Sequence, residues 1–408
     1  MVDIQGKNII YDNNLNQKII PSGQYTRRVG IFDAYLKGHN LEYLHHIYIN
    51  AINEPDTHFT FIIPSYFKDI KGKLSWPPST NISFYFFDLS DKEYLSLSSP
   101  LKKSKRLSLE LKKAIKALGI KEVVLLETIA FMPLLPFIIG RDIKLTSIVY
   151  YIPLYFDHSS TKRRLFDTIN FWLLAKSRCF KRVCLLNAKK EVEYYNTKYS
   201  TTKFTYLPDP YNNVEPTASP KEIRNRLGIS NEKNVFIHFG GMTRRKGTLD
   251  ILNAILQLDE KDLQDKCFIF AGRIGSDILE EFEKIMENVK KKTQIIVFNE
   301  FCEYSLLADI CNIADYMLIP YKNTAQSSGL CSYAAQFKIA TIGPGEGVLG
   351  NIIRDNRLGV GIENLQPDKI AKIISNIKDE KIVADIQKCD DYIINNSPYN
   401  FFCSLIRQ

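Results

Sequence analysis

DYMLIPYKNTAQSSGLCSYAAQFKIATIGPGEGVLG, residues 315–350, is the stretch that decides the fold. Met317 to Pro320 is short and apolar and predicts a buried strand. Lys322 to Ser328 is a loop of small and polar residues, and Gly329 to Phe337 has the alanine-bearing pattern of a helix laid tightly on a sheet. A second apolar strand, Ile339 to Ile342, then runs into a loop carrying Gly343, Gly345 and Gly347. Strand, small-residue loop and helix start together form an anion site, because unpaired N–H groups and the helix dipole both point into the loop. Side chains as small as those at Ser327, Ser328 and Gly329 let a phosphate approach that backbone closely. The same pattern also serves an ordinary crossover whose small residues only pack.

Working outward, the chain has 408 residues, enough for two domains of ordinary size. Its 45% apolar and 24% charged residues are those of a soluble globular protein. The first residues, MVDIQGKNIIYDNN, lack the basic start and apolar run of a signal peptide. Eight cysteines lie without paired spacing, which speaks against a metal finger. Cys184, Cys267 and Cys331 sit in apolar runs and read as small core residues of a reduced, cytoplasmic protein. The net charge of +9 favours an anionic partner or surface without choosing which.

Residues 1–26 read as a polar arm. Strands are predicted at Arg28–Phe32, His58–Pro64, Ile82–Phe87, Glu122–Glu127, Lys144–Ile152, Arg182–Leu186 and Phe204–Leu207. Helices fall between them, among them Asn40–Asn53 and Leu107–Leu118. Apolar strands alternating with helices predict a parallel sheet covered on both faces. Val123–Ile139 is too short for a membrane span and is interrupted by Glu127, Pro133 and Pro136. PDPYNNVEPTASPKE from Pro208 onward is rich in turn formers and marks a boundary, giving domains at 1–210 and 211–380. After it the alternation restarts: strands Val235–Phe239, Cys267–Ala271 and Gln294–Phe298, with helices Thr248–Leu256, Asp277–Val289 and Ser305–Ile313. Pro367–Lys378 is a further helix, and one long helical segment, Ile382–Phe402, belongs to a 381–408 tail expected to return to the first domain.

A second chemical feature is FGGMTRRKG, Phe239–Gly247. Gly240 and Gly241 end a strand, and Arg244, Arg245 and Lys246 precede a helix. Open α/β sheets bind ligands at the carboxyl ends of their strands, so these cations stand where a negative ligand sits. Arginine offers forked hydrogen bonds to phosphate oxygens and lysine a compact charge.

FGGMTRRKGTLDILNAI, FIFAGR, IADYMLIPY and the PGEG loop, in that order, together with DAYLKGHNLEYLHHI and YLPDP in the first half, resemble glycosyltransferases of the GT-B fold, with family 4 the nearest likeness. The resemblance implies an α/β protein of two Rossmann-like, doubly wound domains facing a cleft. It also implies a nucleotide-sugar donor held by the second domain, and it extends to Arg273, which closes FIFAGR. Lys246 matches the family's pyrophosphate-contacting lysine. The family's arginine five positions earlier is replaced by Gly241, for which Arg244 or Arg245 can substitute. The family's two glutamates, eight positions apart, are also missing: depending on register, Ala325 and Tyr333 or Gln326 and Ala334 stand there. Gln326 is the residue able to touch a sugar hydroxyl, with Ser327, Ser328 and Gly329 as backbone cradle and Glu346 and Gly347 near the donor. Retention of configuration and a role in bacterial surface-polysaccharide assembly are inherited from the resemblance.

In the first domain, His39, Glu42, His45 and His46 follow the first strand, Glu127 ends another, and Asp157 with His158 follow a third. A histidine on a helix is more often packed than catalytic, so His39 and His158, at strand-end loops, are the stronger candidates beside Glu127. No Asp-x-Asp signature stands at a strand end, so no metal cofactor is expected and Lys and Arg take its place. Lys102, Lys103, Lys105, Arg106, Lys112, Lys113 and Lys116 form one basic cluster. Lys162, Arg163, Arg164, Lys176, Arg178, Lys181 and Arg182 form a second, each with apolar residues interleaved. Such clusters are either solvated helix faces or a peripheral attachment to an anionic membrane leaflet that presents a lipid-linked acceptor. No nucleic-acid recognition module accompanies them. The sequence thus predicts a cytoplasmic glycosyltransferase, possible at the inner face of the membrane, or a GT-B-shaped protein that binds nucleotide or glycan without catalysis.

Overall fold

Thirteen apolar runs become strands in the computed structural model, which describes residues 25–36, 39–71, 76–156 and 160–407. They assemble into two parallel sheets, one in each of two compact units. The first unit runs to Tyr150, resumes at 158–210 and takes in the chain from Pro398 onward; the second comprises Tyr151–Asp157 and Tyr211–Ser397.

The first unit holds β1 (Arg27–Phe32), β2 (Thr57–Pro64), β3 (Ile82–Phe87), β4 (Glu122–Leu125), β5 (Lys144–Val149), β6 (Phe180–Leu186) and β7 (Phe204–Leu207). Their order is β3-β2-β1-β4-β5-β6-β7, with Arg27 beside Thr57 and Val29 beside Glu122. The chain fills one side of β1 and then the other, so the switch point lies between β1 and β4. Strand residues Ile31, Phe59, Phe61 and Ile148 are fully buried against Leu44 and Ile47 of the His39–Ala51 helix and Phe401 and Phe402 of the Pro398–Ile406 helix. Two arginines hold the end of that last helix. Arg27 donates to the Ile406 carbonyl at 2.8 Å, and Arg182 donates to Ser404 and Leu405 at 2.6 and 2.7 Å. These are carbonyls that a helix end leaves unpaired.

The second unit holds β8 (Asn234–Phe239), β9 (Lys266–Ala271), β10 (Gln294–Phe298), β11 (Tyr316–Leu318), β12 (Ala340–Pro344) and β13 (Gly359–Ile362). Their order is β10-β9-β8-β11-β12-β13, which puts the switch point between β8 and β11. Phe236, Phe268 and Tyr316 stack across three neighbouring strands, with ring centroids 4.9 Å apart in each pair. His238 sits beneath the switch: Nδ1 lies 2.9 Å from the Leu318 carbonyl and Nε2 3.0 Å from the Thr248 hydroxyl. Burial pushes its pKa down to about 4, so the ring is a neutral clamp joining β8, β11 and the Thr248–Gln257 helix.

Three expectations shift. The helix predicted from Leu107 starts at Pro100, because its buried face includes Ser104, whose hydroxyl bonds the Phe131 carbonyl and interrupts the apolar pattern. The single helix expected over 382–402 is two, Ile386–Asn395 and Pro398–Ile406, since the residue before a proline resists helical geometry. The PGEG loop is shorter than predicted, with Gly347 already opening the Gly347–Asp355 helix. The 123–139 run is a strand end, a 3-10 turn at Ile129–Phe131 and the short helix Leu135–Ile138. Among the described residues no helix is long and apolar enough to cross a membrane.

Candidate functional site

At the carboxyl ends of β8 and β11 the second unit gathers the opening stretch and the basic turn. β8 runs into Gly240, whose φ of 93° only glycine adopts easily, and the chain then turns through a 3-10 turn at Arg244–Lys246. Gly247, at φ 71°, packs against the start of the loop after β11: a Cβ there would lie 2.1 Å from the Pro320 carbonyl oxygen. Gly272, after β9, is pressed in the same way onto Gly240. These close backbone approaches bring the strand ends together. Lys246 lies over the Tyr321 ring, 5.1 Å from its centroid, and its ammonium is 3.0 Å from where a Gly240 Cβ would stand. The Tyr321 hydroxyl is 3.5 Å from that of Ser328, at the start of the Leu330–Phe337 helix. Gly240, Lys246, Tyr321, Ser328 and Gly329 therefore share one corner.

That corner has the chemistry to hold an anion. Lys246 forms no ion pair among the described residues. The amides of Gln326, Ser328 and Gly329 donate no hydrogen bond among them either, while the next amide, that of Leu330, donates to the Ser328 hydroxyl at 3.4 Å. A Cβ on Gly329 would meet nothing within 4 Å, so the protein's own packing does not require glycine there. The Thr243 hydroxyl, in the basic turn, is buried and without a hydrogen-bond partner.

The other donor candidates divide. Arg244 is turned away onto the Leu279–Val289 helix, donating to Glu281 at 2.7 Å and to the Asp277 carbonyl at 3.3 Å. Arg245 and Arg273 are exposed, and neither forms an ion pair among the described residues. Gly241 is exposed with open space around it. Gly347 is explained by packing, since a Cβ would lie 2.2 Å from the Thr324 hydroxyl. The Thr324 carbonyl takes the Val348 amide at 2.8 Å, so the Gly347–Asp355 helix start is already satisfied; Glu346, its cap residue, is exposed. Of the four residues standing where the glutamates were expected, Ala325, Tyr333 and Ala334 are buried, Tyr333 against the rings of Phe239 and Tyr211. Gln326 alone is half-exposed, and its side chain makes no hydrogen bond among the described residues.

The first unit carries a different chemistry at its own switch point. Asp33 follows β1 directly and is buried; its Oδ1 accepts the Tyr35 amide at 3.0 Å and the Asn40 side chain at 3.3 Å, while Oδ2 is buried with no partner. Desolvation, with the Glu127 charge adding to it, pushes its carboxyl up to about 7. Glu127, just past β4, accepts the Tyr94 hydroxyl at 2.5 Å, and Lys103 stands over the Tyr94 ring. Burial raises the Glu127 carboxyl as well. Tyr150, after β5, is stacked on Tyr43 at 5.9 Å, and its hydroxyl is buried and unpartnered; Tyr43 donates to Asp209, after β7, at 2.7 Å. His39 is exposed, stacked on Tyr43 at 6.2 Å and 3.6 Å from Glu42. His46 is buried, held neutral by burial with a pKa near 4, and His45 is lowered by burial too. Asp157 and His158 lie outside the described residues.

Sequence reasoning missed Tyr321, Thr243 and Gly272 in the second unit and Asp33, Tyr94, Tyr150 and Asp209 in the first. An aspartate ending GIFD and a tyrosine directly after LIP were the available signals, since both close apolar strands.

No known family profile matches the chain, and no curated protein matches it. Solved structures do. WaaG, a glycosyltransferase involved in lipopolysaccharide biosynthesis, superposes with a TM-score of 0.63 at 13% identity, over 93% of this chain and 100% of that one. Anabaena HepE in complex with UDP-glucose gives 0.59 at 13%, over 93% and 95%. The N-terminal domain of Candida albicans trehalose-6-phosphate phosphatase gives 0.63 at 11%, over 96% and 97%. Likeness at this identity establishes the architecture: the chain has the GT-B fold, two Rossmann-like α/β domains. Likeness at 11–13% identity carries the fold alone, so function rests on the site.

Proposed function

We propose that the chain is a glycosyltransferase that moves a sugar from a nucleotide-sugar donor to a glycan or lipid-linked acceptor. The single observation that carries this is the convergence of Lys246, uncommitted to any carboxylate, with the undonated amides of Ser328 and Gly329 at the β8/β11 switch. A diphosphate satisfies both. HepE, of the same fold, has been solved with UDP-glucose bound, which supports a nucleotide sugar as the donor.

In this reading Lys246 and the main-chain amides hold the departing nucleoside diphosphate and stabilise the charge that develops on it, without a metal. Gln326 reaches a donor-sugar hydroxyl. In the first unit, Asp33 and Glu127, both with raised carboxyl pKa values, hydrogen-bond the hydroxyls of the acceptor. The finer reading follows the family 4 likeness: retention of configuration, surface-polysaccharide assembly, and a cytoplasmic protein working against the inner face of the membrane. WaaG's role in lipopolysaccharide biosynthesis supports that pathway class.

The test is a thermal-shift screen against nucleoside diphosphates and their sugars, followed by turnover with the best donor. A ligand at a hundred times its Kd stabilises by about 2.7 kcal/mol, a readily measured shift. No shift with any nucleoside diphosphate would reject the donor site. Binding without donor turnover would favour the second reading, a GT-B-like nucleotide- or glycan-binding protein, to which the buried Ala325, Tyr333 and Ala334 give standing.

A further inference from the structure

We propose that the solvent face of the Thr161–Lys176 helix is a docking surface for an anionic lipid bilayer. This deepens the membrane part of the function proposed above, and its test is read independently of nucleotide binding.

The helix packs by one side, burying Phe171, Leu174 and Ala175. On the other it leaves Leu165, Ile169 and Trp172 at 60%, 43% and 50% exposure. Spacings of four and then three residues put these three side chains in one line along the helix. A globular helix needs one apolar face, and this one has a second that nothing among the described residues covers. Lys162 precedes the line by one turn with Arg164 alongside, both exposed, and Lys176 follows it by one turn, exposed with its ammonium also donating to the Tyr199 carbonyl at 2.7 Å. Neither Lys162 nor Arg164 forms an ion pair among the described residues. An apolar ridge with tryptophan, bracketed by cations, has the composition of a helix that lies in the headgroup region with its apolar face dipped inward.

The other basic helix is less suited. On Pro100–Leu118, Lys103 is engaged by the Tyr94 ring, Arg106 pairs with Glu93 and Glu110, and Lys113 pairs with Glu110. A second copy of the chain fits poorly on the Thr161–Lys176 face. It would set cation against cation, and three side chains fall far short of the roughly 800 Å² per partner of a stable interface.

The chain has two tryptophans, of which Trp76 is buried, so Trp172 reports on the surface. The full chain is mixed with vesicles of phosphatidylcholine alone or of equal phosphatidylcholine and phosphatidylglycerol, and bound protein is sedimented. We expect binding to the anionic vesicles only, lost at high salt, with a blue shift of the Trp172 emission that is absent in Trp172→Phe. Leu165→Gln with Ile169→Gln should reduce the bound fraction at least tenfold, as should Lys162→Glu with Arg164→Glu. Lys102→Glu with Lys105→Glu should leave it unchanged. Circular dichroism and the nucleoside-diphosphate thermal shift, read in the same variants, verify folding and the other unit. Failure of wild-type chain to bind anionic vesicles would overturn the proposal. So would binding that survives the Leu165/Ile169 change, or a vesicle-free dimer that this change dissociates.

Discussion

Replacing Lys246 by alanine asks the most of the donor site. The ammonium stands at the β8/β11 switch with no carboxylate among the described residues pairing with it, held over the Tyr321 ring and against Gly240. A charge-assisted contact to a diphosphate contributes roughly 1.5–3 kcal/mol. Lys246→Ala should therefore raise the nucleoside-diphosphate Kd roughly tenfold to 150-fold. The unliganded fold should barely respond, since it loses only a cation–π contact worth about 0.5–1 kcal/mol at a site of this exposure. Arg244→Ala supplies the contrast two residues away: its guanidinium is already spent on Glu281 and Asp277, so the Kd should hardly move. Isothermal titration with the nucleoside diphosphate that gives the largest thermal shift measures both variants. An unchanged Kd for Lys246→Ala, or an equal loss for Arg244→Ala, would refute the assignment of this corner.

Gly247→Ala should lower stability by on the order of 1–3 kcal/mol, because its Cβ meets the Pro320 carbonyl at a left-handed φ, whereas Gly241→Ala, with open space, should be near neutral; urea midpoints decide. Asp33, with its folded carboxyl raised to about 7, contributes stability that is fully present below the unfolded value near 4 and lost as pH rises through 7. Asp33→Asn should remove that decline, and midpoint-versus-pH curves that stay parallel to wild type between pH 4 and 8 would dismiss the raised carboxyl. Gly329→Val should leave the midpoint nearly unchanged while abolishing turnover, since only a ligand needs the space at its Cβ, and Ser327→Ala should cost far less. Gln326→Ala should spare free nucleoside diphosphate and weaken the nucleotide sugar; equal affinities for the two ligands in both proteins would take Gln326 off the sugar.

The architecture was legible because apolar runs of four to eight residues alternate with helical periods along nearly the whole chain, and a parallel sheet follows from that alternation. What misled was local: a buried Ser104 hid a helix start, and Pro398 cut a helix that apolar spacing alone would carry through. The donor corner was partly legible, since Gly240 and Lys246 lie six residues apart in one strand-turn motif. Its completion by Tyr321 was not, because nothing in IPYKNT says that the ring lies under a lysine from another strand end. The carboxyl group of the first unit was hidden for a stronger reason. Asp33, Tyr94, Glu127, Tyr150 and Asp209 come from segments far apart in sequence, and only the strand order β1-β4-β5-β6-β7 lines up their carboxyl ends.

The two units thus carry opposite electrostatics at equivalent places in equivalent sheets. In the second, an unpaired cation and free amides stand at the switch, and the nearby His238 is kept neutral by burial, so the local field favours an anion. In the first, burial raises the carboxyl of Asp33 to about 7 and that of Glu127 as well, and any negative charge there would repel a phosphate. On the proposed function, a charged donor and a neutral polyol acceptor would each be matched by one unit and mismatched by the other. Gln326, standing where the resemblance would place a glutamate, fits the same division. The amide still bonds a sugar hydroxyl but brings no charge of its own, so it leaves the field around the diphosphate positive. On the proposed function, stabilisation of a developing oxocarbenium ion would fall on the departing diphosphate itself, and Lys246, by setting where that diphosphate sits, would control the step.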